Sequence, residues 1–209
     1  LINLWGFGPK GERREPPTDA EIDSVKNIVG ASHLKFTGQN EIAKDIPELQ
    51  LNLGSVTKGY CARELTKIIE AHHLTNYYVA ISGEVYVHGY GPAGPDWRIG
   101  VDEPEFDALP GDKVKVVVRL TNAAVSTSGN YRKYFRDGKN QVYAHIVDPK
   151  TGRPTTNPLA SVTVVTPNAL VADGLATTAY LLGPERGLQF IEDCTNAAAL
   201  FIARKADNG

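Results

Sequence analysis

SVTVVTPNALVADGLATTAYLLGPERGLQFIEDCTNAAALFI, residues 161–202, carries the pattern that decides the fold class. Ser161 to Val165 is short and rich in β-branched residues, as a strand is. Ala169 to Leu182 is an apolar helix stopped by Gly183, and Pro184 opens a second helix. Ala198 to Ile202 predicts a final strand. Working back toward the N-terminus, Lys113 to Leu120 alternates with period two, and Trp97 to Val101 is another short strand. Tyr77 to His88 reads as one buried strand interrupted at Ser82-Gly83. Tyr60 to His73 predicts a helix with Leu65, Ile68 and Ile69 on one face. Thr18-Asp19-Ala20-Glu21 is a capping box that starts a helix carrying Ile22, Val25, Ile28 and Val29, after a Pro-rich loop over residues 9–18. Helices and strands mix without regular βαβ alternation. The expectation is an α+β fold, mixed sheets with packed helices, rather than a doubly wound sheet.

Composition narrows the function classes. At 209 residues, 42% apolar and 22% charged, the chain suits one globular domain with an ample core. Lys+Arg 22 against Asp+Glu 24 gives a net charge of -2, which argues against nucleic acid or an anionic membrane as the main partner. Cys61 and Cys194 are too few for a disulfide scaffold or a Cys-rich metal site. The chain contains no Met, so it is expected to be part of a longer translated polypeptide.

Four clusters carry candidate chemistry. Asp173 and Thr177 stand four apart and share a helix face. They offer hard oxygen ligands for Mg²⁺, unless Asp173 is merely a surface carboxylate and Thr177 bonds its own backbone. Because Leu170, Val171, Leu175, Ala176 and Tyr180 make this helix apolar nearly all round, a carboxylate on it needs a partner. Gly54-Ser55-Val56-Thr57-Lys58-Gly59 is a small-residue turn feeding a helix. It reads as an anion cradle or as an ordinary strand-to-helix turn with a solvated lysine, but its spacing is not that of a Walker A loop. His145, just before the Asp148-Pro149-Lys150-Thr151-Gly152 turn, is a candidate general base or a structural hydrogen-bonder. Ser126 to Arg132 offers hydroxyls, a glycine and a guanidinium for phosphate or sugar, or a capped strand end. No G-x-S-x-G elbow or G-x-G-x-x-G fingerprint occurs, which argues against a serine hydrolase or a Rossmann dehydrogenase.

Taken in order, the segments resemble the ApbE family of flavin transferases. The family pattern runs W-G-F-G, D-L-G-G-I-A-K-G-Y, G-G-(D/E), W-x-I-G-I-x-(D/E)-P, T-S-G-(D/N)-Y-R, H-I-I-D-P-x-T-G and A-D-A-L-A-T. Here stand Trp5 to Gly8, Asn52 to Tyr60, Ser82-Gly83-Glu84, Trp97 to Pro104, Thr127 to Arg132, His145 to Gly152 and Ala172 to Thr177. The resemblance covers nearly the whole chain but only the C-terminal two-thirds of a family domain. It implies an ApbE-like, T-fold-like architecture whose N-terminal part, with an A-M-G-T strand and part of the flavin pocket, lies outside these residues.

The resemblance further implies a transferase that moves FMN from FAD to a threonine hydroxyl of an acceptor protein, with Mg²⁺ as cofactor and AMP released. By position, Asp173 and Thr177 match metal ligands, with Ser55 and Ala176 helping through carbonyl oxygens. Asn52, Lys58, Gly83, Glu84, Val147, Ser128 and Arg132 match cofactor-binding positions, Lys58 also assisting catalysis, and His145 matches the base. The family implies an exported, periplasmic or inner-membrane-anchored lipoprotein, a monomer or homodimer, that meets the membrane only through a lipid anchor. Two residues depart from the pattern: Asn52 replaces Asp, and Ser82 replaces the first Gly of G-G. Two alternatives are an Mg²⁺-dependent FAD pyrophosphatase, in which water replaces threonine, and a non-catalytic FAD-binding protein.

Overall fold

In a computed structural model that describes residues 1–204, the stretch quoted above forms a strand, two helices and a strand. In chain order the elements are α1 (Asp19–Lys26), β1 (Leu34–Gly38), β2 (Glu41–Lys44), α2 (Thr57–Ala71), β3 (Tyr77–Ile81) and β4 (Glu84–His88). Then come β5 (Trp97–Asp102), β6 (Val114–Leu120), β7 (Ala123–Gly129), β8 (Tyr134–Arg136), β9 (Val142–Ala144), β10 (Val147–Asp148) and β11 (Arg153–Pro154). The chain closes with β12 (Leu159–Thr166), α3 (Ala169–Leu182), α4 (Pro184–Glu192) and β13 (Ala198–Ala203). The fold is α+β, as expected. No helix among the described residues is long and apolar enough to cross a membrane.

Contacts divide the chain into two compact units, Leu1–Asn52 with Lys133–Thr156, and Leu53–Arg132 with Asn157–Gly209. The second contains a five-stranded antiparallel sheet in the order β13-β12-β7-β4-β3. The interior strand β12 is buried along almost its whole length, which is why it reads as an apolar run broken only by the small hydroxyl residues Ser161, Thr163 and Thr166. In β4 the period of two sends Val85 and Val87 to a cluster with Ile99 of β5 and Val118 of β6. Its other face turns Tyr86 into a cluster with Ala62 of α2 and Ala169 and Ala172 of α3. Glu84 shares that helix-facing side. Helix α3 starts where Asn168 Oδ1 accepts from the Leu170 and Val171 N–H groups, and ends at Gly183, whose φ is 81°.

One expectation is corrected here. Residues 77–88 are not one interrupted strand but a hairpin, β3 paired with β4 in register Ile81↔Glu84. Ser82 and Gly83 have φ of 49° and 101°, the two positive values that a tight primed turn requires.

In the first unit Trp5, Phe7, Ile22 and Val147 form a buried cluster with Phe135 and Tyr143 packed against it. The Trp5 indole donates to the Gly152 carbonyl at 2.7 Å, which ties the W-G-F-G segment to the Asp148-to-Gly152 turn. Gly152 has φ 74°, and a Cβ there would lie 2.6 Å from Ile22 Cγ2, so both conformation and space demand glycine. The capping box of α1 forms as read: Thr18 Oγ1 accepts from the Glu21 N–H, and Glu21 Oε2 accepts from the Thr18 N–H.

Candidate functional site

The second unit brings Lys58, Gly59, Glu84, Ser126 and Asp173 together from α2, β4, β7 and α3. The apolar stripe of α3 buries Asp173 to 2% exposure, and the partner that this burial demands is the start of α2. Asp173 Oδ2 accepts from the Gly59 N–H at 2.9 Å. The first turn of α2 therefore holds an anion, and that anion belongs to the protein. Gly59 is what lets the two helices approach. A Cβ on it would sit 2.3 Å from the Ala169 carbonyl oxygen and 2.9 Å from Asp173 Cβ.

Glu84 is equally buried, at 2% exposure. Its Oε1 accepts from Lys58 Nζ at 2.5 Å and from Ser126 Oγ at 3.3 Å. Its Oε2 has no hydrogen-bond partner among the described residues. Burial pushes the Glu84 carboxyl above the ordinary carboxylate range, against the pull of the Lys58 ammonium, and the Asp173 charge adds to the rise. Asp173 is also raised, by burial, with the Gly59 N–H and the Lys58 charge opposing. One turn along α3 from Asp173, Thr177 Oγ1 lies 2.9 Å from Ser128 Oγ of β7.

Among the other positions matched by resemblance, Gly83 occupies the tight turn before Glu84, with open space where a Cβ would stand. Arg132 donates to the Ala108 carbonyl at 2.7 Å and to Asp102 Oδ2 at 2.5 Å, with its guanidinium over the Tyr131 ring. Ser55 lies in the turn that leads into α2, and Ala176 is buried within α3.

Asn52, His145 and Val147 belong to the first unit. Asn52 is exposed, and Val147 is buried against Trp5, Phe7 and Ile22. His145 Nδ1 lies 3.1 Å from the Lys133 carbonyl oxygen. A carbonyl only accepts, so Nδ1 carries the hydrogen and Nε2 is the basic nitrogen of the neutral ring. The Phe7 ring meets the imidazole edge-on at 6.3 Å. Lys133 in turn donates from Nζ to the Phe7 carbonyl at 2.8 Å.

The sequence reading missed Lys133, whose carbonyl sets the His145 tautomer, and the partnership of Lys58 with Glu84. A signal for the second was present: a Glu at the start of a buried strand needs a cation. Nothing in the spacing of 26 residues says which one.

The donor atoms offered by Asp173, Thr177, Ser55 and Ala176 are a carboxylate, a hydroxyl and carbonyls, all hard oxygens. Among the described residues no group of three His, Cys, Asp or Glu side chains is placed to hold a metal. Such a set, with one charge and several neutral oxygens, fits a Mg²⁺ ion that takes its remaining ligands from phosphate and water.

Residues 1–201 match the model of the ApbE family. The chain is 38% identical over 210 residues to a FAD:protein FMN transferase of Vibrio cholerae, covering 100% of this chain and 60% of that protein. To the FAD:protein FMN transferase of Escherichia coli K12 it is 34% identical over 212 residues, covering 100% and 59%. Among solved structures, the flavin transferase ApbE from Vibrio cholerae superposes with a TM-score of 0.85 at 36% identity, over 99% of this chain and 63% of that one. The ApbE protein from Thermotoga maritima does so with a TM-score of 0.83 at 27% identity, over 97% and 64%. The chain thus spans about 60% of the length of the curated relatives it matches.

Proposed function

The chain belongs to the ApbE family, and on that premise we propose that it is the greater part of a Mg²⁺-dependent FAD:protein FMN transferase. The acceptor is a threonine hydroxyl of another protein. Its oxygen attacks the phosphorus on the FMN side of the FAD pyrophosphate, a new P–O bond forms, the phosphoanhydride breaks, and AMP leaves. The observation that carries this reading is the buried Asp173 carboxylate, held by the N-terminus of α2 and one helical turn from the Thr177 hydroxyl.

Asp173, Thr177 and the carbonyls of Ser55 and Ala176 would hold Mg²⁺, which supplies charge neutralisation on the pyrophosphate when bound. Lys58 adds a second positive charge toward the phosphates. His145 takes the threonine proton at Nε2, the nitrogen left basic by the bond from Nδ1 to Lys133. By resemblance, Asn52, Gly83, Val147, Ser128 and Arg132 match positions that bind FAD in the family. An exported, periplasmic or inner-membrane-anchored lipoprotein is part of the same proposal. It rests on the family resemblance and is tested by fractionating cells that make the full-length protein.

The enzymatic test incubates the full-length protein with FAD and Mg²⁺, with and without a small threonine-bearing acceptor domain, and reads products by mass spectrometry. Acceptor heavier by one FMN, with AMP released, is the expected result. Free FMN and AMP with no modified acceptor would replace it by the pyrophosphatase reading. Intact bound FAD and no AMP would replace it by a flavin-binding protein.

A further inference from the structure

Glu84 reaches nothing outside the protein directly, being 2% exposed, whereas the Lys58 side chain it holds is 37% exposed. The pair is asymmetric in another way. Oε1 accepts from both Lys58 Nζ and Ser126 Oγ, while Oε2 is buried with no partner among the described residues. A carboxylate half-satisfied in the interior is a poor stabiliser, and an apolar side chain of similar volume is often as good or better for the fold. What it does well is aim. The strand β4 and the Ser126 hydroxyl fix where Oε1 sits, and Oε1 fixes one end of a flexible four-carbon side chain. The other end is fixed too, because Lys58 stands in the first turn of α2, where Asp173 holds the N–H of the next residue, Gly59.

From this geometry we infer that Glu84 is a positioning residue, which sets the Lys58 ammonium for the phosphates without touching the flavin nucleotide itself. The inference rests on the transferase reading for its consequence and on the Lys58–Glu84–Ser126 geometry for its cause. It predicts that every effect of Glu84 on turnover passes through Lys58.

The test is a double-mutant cycle in the full-length protein, with unfolding curves confirming that each variant is folded. Glu84→Gln is expected to lower kcat/KM at least about tenfold, mostly in kcat, and Lys58→Ala more. In the Lys58→Ala background the further loss from Glu84→Gln is expected to be less than about twofold. Two losses that simply multiply would overturn the inference. Ser126→Ala, which removes only one hydroxyl from the network, gives a second series should Glu84→Gln unfold the protein. Its loss of about two- to fivefold must also vanish without Lys58. A readout independent of flavin is acylation of Lys58 by an amine reagent at fixed pH, followed by peptide mass spectrometry. Release of the ammonium from Glu84 should raise that rate at least about fivefold in Glu84→Gln. Equal rates would overturn the positioning role, even if the wild-type protein turns over FAD. Failure of the wild type to consume FAD would instead overturn the transferase reading, and the acylation rates would still decide the inference.

Discussion

The aromatic cluster around Trp5 and the polar cluster around Glu84 are buried to the same degree and built in opposite ways. Trp5 is 1% exposed, donates its indole N–H to Gly152, and lies against Phe135 and Tyr143 with ring centroids 6.5 Å and 5.5 Å away. Glu84, at 2% exposure, leaves one oxygen unpartnered among the described residues and sits near a second buried carboxylate, Asp173. The first arrangement lowers the free energy of the folded chain by apolar burial with its one polar atom satisfied. The second raises the proton affinity of both carboxyls and yields little stability. The family match over residues 1–201 spans both clusters, so what separates them is the unpartnered oxygen and the raised carboxyls of the second.

This contrast can be broken from either side. Trp5→Ala should have the largest effect on stability, about 3–5 kcal/mol, measured by denaturant unfolding. Gly59→Ala comes next, at about 1–3 kcal/mol, because the added methyl meets the Ala169 backbone and has no flexible neighbour to displace. It should also disturb the Asp173 bond to the Gly59 N–H, so its loss of activity should exceed what unfolding explains. The pH profile sharpens the comparison. Glu84 has its folded pKa raised by burial, so the folded state binds more protons than the unfolded one above the ordinary carboxylate range. Stability should therefore fall as pH rises from that range through the raised value, and Glu84→Gln should flatten the slope. Ser82→Gly should have the smallest effect, a gain of up to about 1 kcal/mol, since Ser82 holds a φ of 49° that glycine adopts without strain. Thermal unfolding of the two proteins side by side measures it.

Much of this was legible in the sequence where local chemistry decides structure. Helix α3 begins and ends at the residues its cap, its stripe and Gly183 dictate, and α1 opens on its capping box. The need of Asp173 for a partner also followed from the apolar residues around it. The β3–β4 turn reads in the sequence as an interruption of one strand, because Ser is a rare occupant of a left-handed turn position. The β1–β2 hairpin leaves no signal in the sequence for another reason: its residues are almost all exposed and show no buried alternation. Which cation Glu84 would take depends on pairing β4 beside β7 and packing α2 on that face, a long-range outcome that no spacing encodes.

The central claim is that the polar cluster serves a Mg²⁺-dependent reaction rather than the fold, and Asp173→Asn tests it most directly. The substitution keeps size and an acceptor oxygen for the Gly59 N–H while removing the charge. FMN transfer from FAD to a threonine-bearing acceptor should fall at least about 100-fold at fixed Mg²⁺, with unfolding little changed. Transfer at the wild-type rate and with the same Mg²⁺ dependence would contradict the account.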